Sequence, residues 1–321
     1  MLDILAITGP IYLTILLGFL TTRQGLFNAA DMRVLGKFVI NLALPALLFN
    51  SLAQRSLGEI LNGSYLLVYA SGSLLTLGLG WLWARRAARQ DGTTSAYYAM
   101  GMACSNSGFV GYPIALLTLG PVAGVILGLN MIVENLLMVP LLLALAESGQ
   151  GRASAWHRVL RQSLASLLRN PIVLGLLAGF TVSLMGWTLP SALARTMTLF
   201  AQASGALSLF VIGGALVGLK IQGLRRPVMR IVAGKLLLHP LAVLAVLLLF
   251  EAAGLVAMPP AMRIGAVLMA AMPMMGIYTL LAQKHGLEGL AAASLLGCTV
   301  ASFFTISLLL WGLRQMPGWA H

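Results

Sequence analysis

Apolar residues fill this chain in long blocks, separated by short polar or basic stretches. Ten blocks stand out, over residues 4–22, 34–53, 64–84, 97–119, 122–146, 170–188, 196–219, 231–253, 262–283 and 288–313. Each is near the ~20 residues that an α-helix needs to cross a bilayer. No block alternates apolar and polar positions as a membrane β-barrel strand would. The pattern therefore predicts an all-α integral membrane protein with ten transmembrane helices. The longest polar connection, residues 147–169, divides the spans five and five. It carries Arg152, His157, Arg158, Arg161 and Arg169, and is expected to form a short amphipathic surface helix.

The two halves resemble each other. Pro10 to Phe19 aligns with Pro171 to Phe180 at six of ten positions, with Pro opening and Gly-Phe closing both segments. A repeat of five spans crosses the membrane an odd number of times, so its second copy enters from the opposite face. The expectation is an inverted repeat, residues 1–150 and 151–321, an arrangement common in transporters.

Composition agrees. Hydrophobic residues are 59% of the chain and charged residues 9%, against about 25% charged in soluble domains. Mean hydropathy is +0.93. The net charge of +12 sits in the connections between apolar blocks, so it reports membrane orientation and not nucleic acid. Sixteen of the 20 Lys and Arg fall at connections after spans 1, 3, 5, 7 and 9, counting adjacent helix ends; Arg55, Arg195, Arg263 and Arg314 lie on the other face. The basic face stays cytoplasmic, which puts both termini outside. The first apolar block follows Asp3 and not a basic start, so no cleavable leader is expected. Cys104 and Cys298 both lie in apolar spans and suggest no disulfide framework. There is no metal-ligand spacing and no phosphate-binding glycine loop, so no metal, cofactor or direct ATP use is expected.

One span is poorly suited to a continuous helix. Residues 104–113 read Cys-Ser-Asn-Ser-Gly-Phe-Val-Gly-Tyr-Pro. Ser105, Asn106 and Ser107 are polar and Gly108 and Gly111 are permissive. Pro113 lacks an N–H and clashes with the carbonyl of Phe109 in an unbroken helix. A break at membrane depth frees backbone groups that must find protein, water or ligand. Span 9 carries a comparable interruption, with Met272, Pro273, Met274 and Gly276 followed by Tyr278. Paired interrupted helices in corresponding positions mark transporter sites. Half-helix N-termini there favour an anion such as a carboxylate.

Further candidates lie on other spans. Glu134 is an acidic residue deep in span 5, at a cost of ~3 kcal/mol if charged at the bilayer centre. It is either a proton-coupling group or a structural hydrogen-bond acceptor. Asn130 shares its helix face. In span 2, Asn41 is expected to satisfy the kink at Pro45, and Asn50 to line the site. Lys235 and His239 are expected to open span 8 at the interface, where basic side chains snorkel. Tyr112 and Tyr278 either contact substrate or pack. The Met run of span 9 is expected to be adaptable packing.

These residues resemble the auxin efflux carrier family, including its bacterial, malonate-transporter-like members. The resemblance rests on residues 106–113, on Leu44-Pro45-Ala-Leu-Leu-Phe49, on Arg169-Asn170-Pro171, and on Met272-Pro273 with Leu281-Ala-Gln-Lys-His285. It implies two inverted five-helix repeats, a scaffold domain and a transport domain, and a substrate site where broken helices 4 and 9 cross. It implies carriage of a small organic anion across a bacterial inner membrane by an elevator-like movement. Against a membrane enzyme stands the lack of any acid–base or metal constellation on a membrane face. Asn106 matches the family's crossover asparagine, and Pro113 and Pro273 its helix-breaking prolines. The expected substrate-binding set is Ser105, Asn106, Ser107, Gly108, Pro113, Met272, Pro273, Met274, Asn50, Asn130 and Glu134, with Glu134 also the ion-coupling residue. The expected partners are a small carboxylate, membrane lipid and a second copy through the scaffold helices. Alternatives are a sodium-coupled carrier of the bile-acid-transporter-like fold, using Glu134, Asn130 and Asn135, or a channel.

Overall fold

The computed structural model describes residues 2–53, 62–149, 165, 169–218 and 225–315. The described chain is helical, and no strand forms among the described residues. Most of the 147–169 connection lies outside the described residues, as do Arg55 and Lys220. The helices are α1 Leu2–Arg23, α2 Ala29–Phe38, α3 Leu44–Ala53, α4 Gly63–Arg86, α5 Gly92–Ala103, α6 Tyr112–Leu119, α7 Ala123–Ile132 and α8 Val139–Ser148. They continue with α9 Pro171–Met185, α10 Ser191–Ala215, α11 Arg225–Ala233, α12 His239–Ala252, α13 Pro260–Ala270, α14 Tyr278–Gln283 and α15 Glu288–Gln315. Among the described residues, six continuous stretches are long and apolar enough to cross a membrane: Ala29–Ala53, Gly63–Arg86, Ser107–Ser148, Ser191–Ala215, Arg226–Ala252 and Glu288–Leu313.

Polar residues set the helix starts. The Asn28 side chain accepts from the N–H groups of Ala30 (2.7 Å) and Asp31 (3.2 Å), and Asp31 accepts from the Asn28 N–H (2.8 Å). This reciprocal box satisfies donors that would otherwise be orphaned at the start of α2. Asp91 caps α5. Asn170 caps α9 through the Ile172 N–H at 2.9 Å, with Pro171 as the first helical residue, where its missing N–H costs nothing.

Among the described residues, four wide π-turns interrupt the long helices, at Val39–Ala43, Ser107–Gly111, Val133–Met138 and Gly234–Leu238. Each is followed within two residues by a proline: Pro45, Pro113, Pro140 and Pro240. A proline ring clashes with the carbonyl four residues back, and a widened turn relieves that clash. The carbonyl that Pro113 leaves without its helical donor is that of Phe109, and the Ser208 hydroxyl of α10 donates to it at 3.0 Å. Asn41 turns its amide back to the Lys37 carbonyl at 2.7 Å, a local role within its own helix.

The chain divides into two compact units that alternate along the sequence. The first comprises Met1–Gly63, Ser107–Leu129 and Leu168–Gly218. Within it α1 packs on α10 and α9 packs on α3, with glycines at the crossings. A Cβ at Gly18 would strike the Phe210 carbonyl of α10. A Cβ at Gly179 would lie 2.6 Å from the Phe49 carbonyl of α3. Both pairs are related by one shift of 161 residues, the shift that aligns Pro10 with Pro171. Gly175 sits one turn earlier on the same face, against Pro45. Such small-residue faces allow the close backbone approach that membrane helices rely on.

The second unit comprises Ser64–Asn106, Asn130–Leu167 and Leu219–His321. Within it α5 lies against α8, where Thr93 Oγ1 donates to the Ala146 carbonyl at 2.8 Å. α11 packs on α15, and α12 on α13. Both helix interruptions singled out in the sequence have their non-helical residues here.

Candidate functional site

α5 ends at Ala103, and Cys104 turns extended with φ −103° and ψ 128°. α13 ends at Ala270, and helix resumes only at Tyr278. The two breaks pair. Ser105 forms an antiparallel bridge with Met274, and the Asn106 N–H donates to the Pro273 carbonyl at 2.7 Å. Backbone groups released from two helices thus satisfy each other, as an apolar environment requires. Helix gives way at Cys104, earlier than the glycines, and Pro113 falls in the first turn of α6.

Ser105 is the centre of a buried polar cluster. Its N–H donates to Glu134 Oε1 at 3.1 Å. Its hydroxyl accepts from Lys235 Nζ at 2.7 Å. Lys235 also donates to the Ala270 carbonyl at 2.7 Å and meets His239 Nδ1 at 2.7 Å. An ammonium has three donors, and these three acceptors match them. With Lys235 as an ammonium, His239 accepts at Nδ1 and turns its Nε2–H to the Ser73 hydroxyl at 3.0 Å. The Tyr69 hydroxyl lies 3.1 Å from Glu134 Oε1 and 3.3 Å from Ser105 Oγ. Tyr65 donates to Asn130 Oδ1 at 2.7 Å and stacks on Tyr69. Lys235, His239 and Asn130 have no exposed surface, and Glu134 is 2% exposed. A buried cation and a buried carboxylate are therefore joined through one serine. Such a pair is tolerable only when fully hydrogen-bonded.

The sequence reading misplaces Lys235 and His239. It begins span 8 at residue 231, but the stretch starts at Arg226, so both side chains lie further along the helix and inward instead of snorkelling at the interface. Lys235 consequently leaves the count of orienting charges. Their spacing of four residues, just before Pro240, is the signal that would have shown them on one buried helix face. Tyr69 and Ser73 were missed as well, because nothing local distinguishes them.

The other candidates distribute as follows. Ser105, Asn106, Asn130, Glu134, Met272, Pro273 and Met274 belong to the second unit, and all are buried. Ser107, Gly108, Pro113 and Asn50 belong to the first; Asn50 donates to Thr198 Oγ1 at 3.4 Å. Asn135 donates to the Met131 carbonyl of its own helix at 2.9 Å. The backbone N–H groups of Ser105 and Asn106 serve Glu134 and Pro273. Tyr278 is fully buried and donates to the Tyr97 carbonyl at 3.0 Å, while Tyr97 donates to the Leu281 carbonyl at 2.7 Å. This reciprocal pair ties α5 to α14 and marks Tyr278 as a packing residue. No group of three or more His, Cys, Asp or Glu gathers as metal donors among the described residues.

Comparison with known proteins puts this arrangement in context. A family model described as "Membrane transport protein" matches residues 6–311. A "Putative malonate transporter" of Rhizobium meliloti (strain 1021) is 26% identical over 322 residues, covering 98% of this chain and 97% of the relative. The "Uncharacterized transporter YfdV" of Escherichia coli (strain K12) is 26% identical over 247 residues, 74% of this chain and 76% of the relative. An "Uncharacterized transporter" of Methanothermobacter thermautotrophicus is 34% identical over 101 residues, 31% of this chain and 33% of the relative. These matches point to a transporter and not an enzyme. The chain belongs to the auxin efflux carrier family of membrane transport proteins.

Proposed function

We propose that this transporter is a secondary carrier of a small organic anion, a carboxylate of the malonate class, in a bacterial inner membrane. The observation that carries the reading is the pairing of the two breaks, Asn106 on Pro273 at 2.7 Å, with the Lys235 ammonium one residue away on Ser105. A fixed positive charge beside two helix interruptions suits an anion. The name printed for the Rhizobium relative agrees with that class. In this reading the Asn106 carboxamide holds a carboxylate oxygen, supported by Ser105, Ser107 and Gly108. Pro113, Met272, Pro273 and Met274 shape the lining, and Asn50, Asn130 and Glu134 complete it.

The carrier works by elevator-type alternating access, with the first unit as scaffold and the second as transport body. Ten spans form two inverted repeats, residues 1–150 and 151–321, and both termini are periplasmic. The matched glycine crossings, Gly18 on Phe210 and Gly179 on Phe49, support the repeat. A homodimer forms through the scaffold helices. Glu134 links transport to protons. Sodium is disfavoured here, because the Glu134 Oε1 and Asn130 Oδ1 oxygens that it would use already accept from the Ser105 N–H and from the Tyr65 hydroxyl.

The test is thermal stability of the purified protein against a panel of mono- and dicarboxylates, with Asn106→Ala in parallel. Ligand binding to the folded state raises the midpoint. Stabilisation of the native protein alone supports the site and the substrate class together. Equal stabilisation of both proteins moves the site elsewhere, and no shift from any acid overturns the carboxylate reading.

A further inference from the structure

The arginine-rich end of the second unit points to a site that the carrier function does not use. α11 is amphipathic: Val228 and Ile231 are buried, while Arg226, Met229 and Arg230 are exposed. Arg226 and Arg230 are one turn apart and share a face. The Arg230 guanidinium lies over the Trp83 ring of α4, 5.1 Å from its centroid. Trp83 in turn lies against Tyr98 of α5, with centroids 6.1 Å apart. Arg86 follows Trp83 by three residues, on the same side of α4. One turn along the other face, Arg85 sits over Trp81 at 6.0 Å. None of Arg86, Arg226 and Arg230 has a carboxylate partner among the described residues, whose ion pair is Arg263 with Glu251. The acid close in sequence, Asp91, is occupied by Thr94 at the start of α5.

We propose that this Arg-Trp-Tyr shelf binds the headgroup phosphate of an anionic phospholipid. Charge complementarity selects the occupant. Three cations have no carboxylate partner among the described residues, and stacking on tryptophan holds a guanidinium flat with its N–H groups directed outward. Tryptophan and tyrosine sit at headgroup depth in membrane proteins. The exposed Leu82 and Met229 beside them give acyl chains an apolar wall. A soluble phosphate would use the arginines but have no use for that wall. Basic side chains near a membrane surface attract anionic lipid individually, and here they are also oriented. The inference stands apart from the substrate reading.

The experiment adds phosphatidylglycerol, phosphatidylcholine or inorganic phosphate to the purified full chain in neutral detergent and records the melting midpoint. An R226Q/R230Q double variant is compared with Arg195→Gln, an exposed arginine outside this cluster. Phosphatidylglycerol is expected to raise the midpoint of the native chain and of Arg195→Gln. That shift is expected to fall at least by half in the double variant and in high salt, which screens exposed charges. A full shift in a normally folded double variant overturns the proposal, as does an equal shift from phosphatidylcholine or from inorganic phosphate. Should the double variant fail to fold, brominated phosphatidylglycerol decides on the native chain. Its quenching of indole fluorescence must be salt-sensitive and must shrink in Trp83→Phe. Quenching unchanged by either overturns the proposal.

Discussion

Ser105 carries two opposite loads, with its N–H on a carboxylate and its hydroxyl on an ammonium. Removing either charge leaves the other buried without its counter-charge. Lys235→Met is therefore expected to cost about 3–5 kcal/mol, read as a lowered midpoint in detergent. Glu134→Gln keeps the shape and removes the charge. If Glu134 carries the coupling proton, the variant transports with a flat pH profile in proteoliposomes; full transport with native pH dependence would end that assignment. Asp91 offers a simpler titration outside the spans. Burial pulls its carboxyl upward, but hydrogen bonds from Thr94, Thr93 and its own N–H outweigh burial and hold it below the ordinary carboxylate value. A depressed folded value means that the cap stabilises fully above the unfolded value near ~3.9. The contribution is lost as pH falls through the folded value. Asp91→Ala should cost about 1 kcal/mol at neutral pH and nothing well below that range, measurable as amide exchange in the first turn of α5.

At the scale of the element, prolines and glycines made much of the fold legible. Pro113 led to the Phe109 carbonyl, and Ser208 is the donor found there, 99 residues away in sequence. Ser208→Ala should loosen the α6 start by about 1 kcal/mol, visible as faster exchange there. Gly179→Leu, which drives a side chain into the Phe49 backbone, should cost at least ~3 kcal/mol of stability. The interruptions at Cys104 and Pro273 were readable because polar and helix-breaking residues clustered in an apolar run leave a membrane helix unable to continue. Lys235 was not readable in the same way. Its acceptors lie 130 and 35 residues away, and a lysine close to a helix end looks like an interfacial one. Misplacing the start of that helix by one turn was enough to turn a buried cation into a surface charge. Tyr69 and Ser73 belong to the same class: only the packed structure brings them to Ser105 and His239.

At the scale of the molecule, the basic connections predict which side each end faces. A periplasm-dependent reporter such as alkaline phosphatase, fused after residue 321, should be active. The same enzyme fused in the connection near Arg86 should be inactive. The opposite result would invert every span.

The alternation of the two units along the chain has a consequence for how the protein is made. Glu134 leaves the ribosome about 100 residues before Lys235, which at about 5–20 residues per second is a delay on the order of ten seconds. During that time Glu134 has entered, or is waiting to enter, the bilayer without its cation. The nascent chain must then remain in the translocon or be sheltered by an insertase until Lys235 arrives. In a cell lacking such shelter, this protein is expected to be lost to membrane proteases during synthesis.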